Sequence, residues 1–536
     1  MSSARGASPI RQLATAASLL ALASCASVGP EAALAPVAVP SDWAAVSGEL
    51  SGTAPVTADW LGELTDPAVT GLVAEAIAYN NQLAAAGARV RAAREQARIA
   101  RSGLLPQISA DLTGVRSRSS GLGGFVGGVP QPGGVYANSF SSGLNLAWEL
   151  DLWGRLTDQT RAAHLQRDAQ ALDYAAAALS IAGGAAQSYY ALTEAQLQTQ
   201  LAERDVETGE TNLRIIERRF DRGISTSLDV RLARSSLAQS RAQLIGRRQA
   251  AQEAARRLEV ILGRYPGAEV AAAETLPRLE ALAGAVTLGE PAALLLRRPD
   301  ILSAEARLRA ANLDVSAARK ALLPSLSLRA GLSGDTFAAT GAAGEGRPGL
   351  DFDALTDPEQ LGKRLIGSLV QPIFQGGRLR AQVAARRAQM EAAVYDYAQT
   401  ALTAYNEVED ALAAEAFLSA QLDARTLAFE EARAAEELTE RRYLQGAESI
   451  FNLINAQQRR IGAESQFIAA QRARITNRID LYLALGAPFE APAYLRPGSE
   501  RFTDPARDPA ASPAATDAAP RRGLFGFGSR RARTSP

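Results

Sequence analysis

Residue types able to do covalent or metal chemistry are scarce in this chain of 536 residues. There is one histidine, His164, one cysteine, Cys25, and two methionines. That is too few soft ligands for a zinc centre, a disulfide framework or a copper-binding methionine cluster. Serines and carboxylates occur but form no catalytic constellation, and His164 falls on a helix expected to be solvated, so an enzyme is not expected. Lys and Arg total 57 against 57 Asp and Glu, which leaves no basic footprint for nucleic acid. The residues that remain are non-covalent devices at two places. Arg219-Phe220-Asp221-Arg222-Gly223 and Arg442-Tyr443-Leu444-Gln445-Gly446 each run basic, aromatic, two more residues, glycine. A glycine there supplies the positive φ of a tight turn between helices.

These motifs are two copies of one. Gly154-Arg155-Leu156 returns as Gly377-Arg378-Leu379, Asp173-Tyr174 as Asp396-Tyr397, and Leu262-Gly263 as Leu485-Gly486, always 223 residues later. A second register links Leu104-Leu105-Pro106 to Leu322-Leu323-Pro324. Duplication on this scale predicts two similar structural halves. Composition dominated by alanine and leucine favours closely packed helices.

The N-terminus reads as an address. Arg5 and Arg11 precede an apolar run from Leu13 to Ala23, too short to span a bilayer. The run ends in Leu22-Ala23-Ser24-Cys25, which resembles the lipobox of bacterial lipoproteins. Residues 1–24 are therefore expected to be a signal peptide and Cys25 a lipidated first residue. Ala26 follows in place of a retaining aspartate, which points to the outer membrane. Removing two arginines and no acid leaves a mature charge of 55 − 57 = −2.

A Pro/Ala-rich linker occupies 25–58. A helix is predicted over 67–101, with Asp66 as N-cap and Pro106 as stop. Residues 107–119 and 138–152 lack helical period and flank a Gly/Pro-rich stretch, 121–134, that reads as a flexible hairpin loop. The second half repeats this with a helix over 300–319, a stop at Pro324 and a strand over 325–333. A long loop of Gly, Ala and Asp then leads to a last extended segment, 363–374. Leu326, Leu328, Ala330 and Leu332 alternate with polar neighbours, as in a membrane strand with a lipid face and a lumen face. Four strands cannot close a barrel, since about eight is the minimum, so several chains are required. Between these segments, an unbroken helix is expected over 156–222, weakened locally by Gly183-Gly184 and Gly209. At ~1.5 Å per residue it is a rod on the order of 100 Å. Its return helix carries Val230, Leu237, Leu244, Ala251 and Leu258 at seven-residue spacing, as Ile454, Ile461, Ile468 and Ile475 do in the second copy. That period winds helices into a left-handed coiled coil. The tail from Pro497 has no periodicity and reads as disordered.

From Cys25 to about Pro492 the chain resembles the TolC-like outer-membrane efflux proteins, in their lipidated drug-efflux (OprM-like, NodT-type) branch. The resemblance rests on Trp148-Glu149-Leu150-Asp151-Leu152-Trp153-Gly154-Arg155 and its diverged counterpart Gln371-Pro372-Ile373-Phe374-Gln375-Gly376-Gly377-Arg378. Arg298-Pro299-Asp300-Ile301 followed by Ala304-Glu305 supports it. It implies an α+β membrane protein. Three chains would each give four strands to one twelve-stranded outer-membrane barrel, continued by a coiled-coil tunnel through the periplasm. Repeats at 59–263 and 298–486 would flank an equatorial connection at 264–297, with a further equatorial segment and tail at 487–536.

It also implies roles. The tips Arg219, Gly223, Arg442 and Gly446 would form the periplasmic entrance and meet an adaptor protein. Six and nine residues past the second-tip glycine the family often carries acids that ring a closed gate; this chain has Asn452 and Asn455. Asp229, equivalent to Asn452 in the first copy, could accept a hydrogen bond from Tyr443 as a gate lock, or simply favour a helix N-terminus with its charge. No cofactor is expected beyond the lipid on Cys25, and the expected partners are two further copies, the adaptor and an inner-membrane transporter of RND type. A channel for type I protein secretion is the alternative. The adaptor itself is disfavoured, because adaptors carry one hairpin and this chain has two.

Overall fold

The computed structural model describes residues 39–45, 66–119, 125–126, 129–130, 135–279, 288–340 and 362–486. Cys25 and the signal segment, most of the linker and of the 121–134 loop, the long loop before 362 and the tail lie outside the described residues.

Two helices open the first half, α1 (Pro67–Tyr79) and α2 (Asn81–Ser102). Asp66 caps α1 by accepting from the Ala68 N–H at 2.9 Å. The single helix expected over 67–101 is thus two, broken at Asn80, whose backbone is extended (φ −65°, ψ 123°). The cause is local chemistry. The Asn80 side-chain oxygen accepts from the N–H groups of Gln82 and Leu83, capping α2, while its amide donates to the Ile261 carbonyl at 2.8 Å.

Strands β1 (Gln107–Ser119), β2 (Phe125–Val126), β3 (Val129–Pro130) and β4 (Val135–Leu150) follow. Then come the hairpin helices α3 (Arg155–Asp221) and α4 (Ser227–Ile261). The second half supplies α5 (Pro291–Arg297), α6 (Pro299–Lys320), β5 (Ser325–Thr340), β6 (Gly362–Val370), α7 (Arg378–Leu444) and α8 (Ile450–Ala484). The duplication is exact in length: α3 and α7 each have 67 residues, α4 and α8 each 35. Strand β5 runs seven residues past its expected end, and β6 stops at Val370, two residues before Pro372, which has no N–H to give a ladder.

Gly183 does not break α3. It admits α8: a Cβ there would lie 2.4 Å from a Leu483 methyl. The core gathers where the long helices meet the connecting segments, around Tyr190, Leu258, Ile301, Ile475 and Tyr482, all under 2 % exposed. Each such side chain contributes about 1.5–3 kcal/mol of burial. Within α4 the seven-residue stripe turns inward as expected at Val230, Leu237, Ala251 and Leu258, while Leu244 is half-buried. Ile468 and Ile475 do the same in α8, with Ile454 and Ile461 half-buried.

Candidate functional site: a two-faced sheet and two hairpin tips

β1, β4, β5 and β6 form one antiparallel sheet in that order, so both halves contribute two strands, and among the described residues β1 and β6 are free edges. Register sorts most of the side chains, with Arg116 and Lys363 as charged exceptions on the apolar face and Val115 and Ile366 as apolar ones on the other. Ile108, Leu146 and Ala330 lie opposite one another, as do Ala110, Leu144 and Leu332, and Trp148 faces Leu328. With Leu365 and Leu369 these positions make one apolar face, largely exposed in the protomer: Ile108 67 %, Leu112 74 %, Leu365 72 %. The intervening positions, among them Ser109, Asp111, Asn145, Ser327, Arg329, Ser333 and Arg364, make the other face polar. On it Asn145 donates to Asp111 at 2.6 Å, and Glu149 pairs with Arg155 at 2.6 Å.

At the foot of the sheet the strands pass directly into the long helices. The Trp148 and Trp153 indoles donate to the carbonyls of Leu104 and Pro324 (3.0 and 2.7 Å), pinning strand to helix in both halves. Asp151 caps α3 by accepting from the Leu156 and Thr157 N–H groups; hydrogen bonds from Thr157 and Leu156 outweigh burial and hold its carboxyl below the ordinary value. The recurring motif around Trp148–Arg155 is thus a joint between strand and rod.

Farther down, α3 and α8 meet through polar groups. Gln187 donates to Asp480, Ser465 and Gln198 bond each other, and Asn212 donates to Gln457. A chain of charges, Arg204–Glu464–Arg460–Glu436, crosses α3, α8 and α7 at 2.7, 2.6 and 2.5 Å. Glu415 on α7 is 5 % exposed and takes Arg474, Asn477 and Arg478 of α8. His164 is half-buried on α3 rather than solvated.

The tips are built alike. Gly223 (φ 73°) and Gly446 (φ 75°) close a turn in which the N–H of the next residue, Ile224 or Ala447, returns to the carbonyl of Arg219 or Arg442. This C-cap needs left-handed backbone, which glycine adopts without strain. Tyr443, 7 % exposed, sits in a small apolar cluster with Ile216, Val230, Ala233, Ile450 and Leu453, and the Arg219 guanidinium lies 4.9 Å from its ring centre. Asp229 is used elsewhere. It forms a capping box with Thr226: its carboxylate accepts from the Thr226 N–H (2.7 Å) and hydroxyl (2.9 Å), and its own N–H returns to that hydroxyl. The hydrogen bond from Tyr443 to Asp229 is therefore not made within the protomer, because the cap takes the acid and the cluster takes the phenol ring. Asn452 is exposed and Asn455 half-buried. The Asn452 amide donates to Glu448 at 2.6 Å; that bond, with one from the Ser449 N–H, holds the exposed Glu448 carboxyl below its ordinary value. Glu448 is an acid at this tip that spacing rules passed over. It stands two residues past Gly446, nearer the turn than Asn452 and Asn455, where the family's acids fall.

A sheet with one apolar and one polar face, free at both edges and running straight into rods of ~100 Å, defines one subunit of a membrane channel with a long helical duct. The chain belongs to the outer membrane efflux protein family, whose model matches residues 72–264 and 291–487, one block per half. It is 31 % identical over 483 residues to the pyoverdine export outer membrane protein OpmQ of Pseudomonas aeruginosa, covering 90 % of this chain and 98 % of that one. It is 26 % identical to the probable outer membrane lipoprotein SilC of Salmonella typhimurium, over 89 % and 98 % of the two chains. The crystal structure of the Campylobacter jejuni CmeC outer membrane channel superposes with a TM-score of 0.76 at 25 % identity, covering 87 % of this chain and 95 % of that one. The protein is an outer-membrane efflux channel, with the α+β fold of the trimeric channels in which a barrel continues into a helical tunnel.

Proposed function

We propose that the protein is the passive exit duct of a tripartite efflux pump, with three copies closing one barrel of twelve strands. The observation that carries this is the sheet: its apolar face is exposed and its edges are unpaired, and in lipid an open edge must be closed. The apolar face meets lipid and the polar face lines the pore. Twelve strands spaced about 4.8 Å and tilted about 40° enclose a backbone circle on the order of 24 Å across, wide enough for drug-sized molecules and too wide to stand open at rest. No step of covalent chemistry is assigned to the chain; transport is driven elsewhere.

The tips Arg219, Gly223, Arg442 and Gly446 meet the hairpins of a periplasmic adaptor, and Asp229, Tyr443, Asn452 and Asn455 surround the entrance that the adaptor opens. The inner-membrane partner is of RND type. Cys25 carries the lipid, in keeping with a relative named as a lipoprotein. Chain length allows it. Ala44 and Ala45 are held by Glu409 of α7 at 2.8 and 2.7 Å, 31 helical residues or ~46 Å below the strands. The 19 residues back to Cys25 can span at most ~65 Å.

The test is a deletion strain. Loss of the protein should sensitise cells to small toxic compounds, and the wild-type gene should restore resistance together with trimers in the outer membrane. A strain that keeps full resistance but fails to secrete a polypeptide would instead make this the duct of a protein-secretion system.

A further inference from the structure

On the polar face of the sheet, Arg329 of β5 lies opposite Ile366 and Arg364 of β6 lies opposite Gly331. The two arginines are therefore diagonal neighbours on one face, roughly 7–8 Å apart. Both are exposed, and neither pairs with a carboxylate among the described residues. The other charges of this face are differently placed. Glu149 is neutralised by Arg155, Asp111 accepts from Asn145, and Asp335 stands six residues farther up β5 from Arg329, about 20 Å. Across β4 from Arg329 and Gly331 stand Ala147 and Asn145, uncharged and short, which leave the guanidinium groups room.

We infer that Arg329 and Arg364 form an anion-binding ring inside the barrel, six guanidinium groups in the assembled trimer, that favours passage of molecules bearing carboxylate, phosphate or sulfonate groups. This rests on the reading that the polar face lines the pore. A guanidinium presents a planar fork of donors that matches such oxyanions. Rings of Arg or Lys confer anion preference on pores. The bore suits it: with a backbone radius near 12 Å narrowed by side chains, little of the lumen lies beyond one Debye length of about 8 Å from the ring. The sheet also supplies an internal control. Lys363, next to Arg364 in the chain, lies on the opposite, apolar face, across from Leu332.

The experiment uses purified trimers in planar bilayers under a tenfold KCl gradient, with inositol hexakisphosphate added on the barrel side as a polyanionic blocker. Relative to wild type, Arg329→Ala/Arg364→Ala should raise the half-blocking concentration about tenfold or more and move the reversal potential toward potassium preference, as expected for removing a local potential of a few kT. Arg329→Lys/Arg364→Lys should keep most of the anion preference, and Lys363→Ala should behave as wild type. A conducting double variant with wild-type block and reversal potential would overturn the ring alone. A change with Lys363→Ala as large as with the double variant would overturn it by reversing the faces. Trimers that pass no current even when the entrance is opened by Tyr443→Ala would overturn the pore reading and the ring with it.

Discussion

The tip of the first hairpin offers a test that separates a lock from a cap. If closure depended on a hydrogen bond from Tyr443 to Asp229, losing it would cost about 1.5–3 kcal/mol per protomer, as bonds to charged groups do, and Tyr443→Phe would open the channel as readily as Asp229→Ala. The structure assigns the energy elsewhere. The Tyr443 ring is 7 % exposed among Ile216, Val230 and Leu453, beneath Arg219. Tyr443→Phe keeps that packing and should change stability by less than about 0.5 kcal/mol. Tyr443→Ala removes a buried aromatic, about 3 kcal/mol or more, together with a cation–π contact of roughly 0.5–1 kcal/mol. Asp229→Ala and Thr226→Ala each break the same capping box, at about 0.5–2 kcal/mol. Because they share one interaction, the double variant should cost little more than either alone. Single-channel conductance, with vancomycin sensitivity of cells as a second readout, should therefore rank Tyr443→Ala first, the two cap variants together below it, and Tyr443→Phe with wild type. A Tyr443→Phe channel that opens like Tyr443→Ala while still trimeric would refute this reasoning and restore the lock.

Arginine at Leu332, midway along β5 and three copies per barrel, should cost about 2–4 kcal/mol each near the bilayer midplane. Outer-membrane yield should then fall far more than for arginine at Ser327 or Ser333 on the opposite face; equal yields would mean the faces are wrongly assigned. Glu415→Ala leaves Arg474 and Arg478 buried without their shared carboxylate, at about 3–5 kcal/mol. The trimer should lose thermal stability while Glu407→Ala, which removes an exposed carboxylate and leaves the buried Arg298 still paired with Asp300, moves it much less. Asn452→Asp removes the donor to Glu448 and sets two carboxylates side by side. The entrance should become more cation-selective and open more readily at pH 7.5 than at pH 4, where protonation relieves the repulsion; conductance that is independent of pH would place these residues away from the entrance.

The long hairpins were legible because their punctuation is strong. Gly223 and Gly446 follow basic, aromatic turns at identical spacing, and nothing between them and the strands removes enough N–H groups to stop a helix. The strand β5 was legible from its alternating leucines, and β1 from Pro106 ahead of a polar run. Asn80 was not, since an asparagine inside a helical pattern marks a break only when a second partner, here the Ile261 carbonyl, holds its side chain. Likewise the pairings Gln198 with Ser465 and Arg204 with Glu464 join residues about 260 apart, and a stripe on one helix does not name the helix it meets. The inward turn of Tyr443 and the capping use of Asp229 belong to the same kind. Both residues were singled out by the family resemblance, with the 223-residue offset placing Asp229, but their contacts depend on how two hairpins pack.

The most direct test of the channel is which face of the sheet meets water. Under the proposed lipidation of Cys25, the chain's one cysteine, a cysteine introduced into a strand would be the only free thiol. Ser327→Cys and Leu328→Cys trimers in the outer membrane can be treated with a membrane-impermeant, charged thiol reagent. The account predicts that Ser327→Cys is labelled, with a fall in conductance, and that Leu328→Cys is protected by lipid. Labelling of Leu328→Cys with protection of Ser327→Cys, or equal labelling of both, would contradict it.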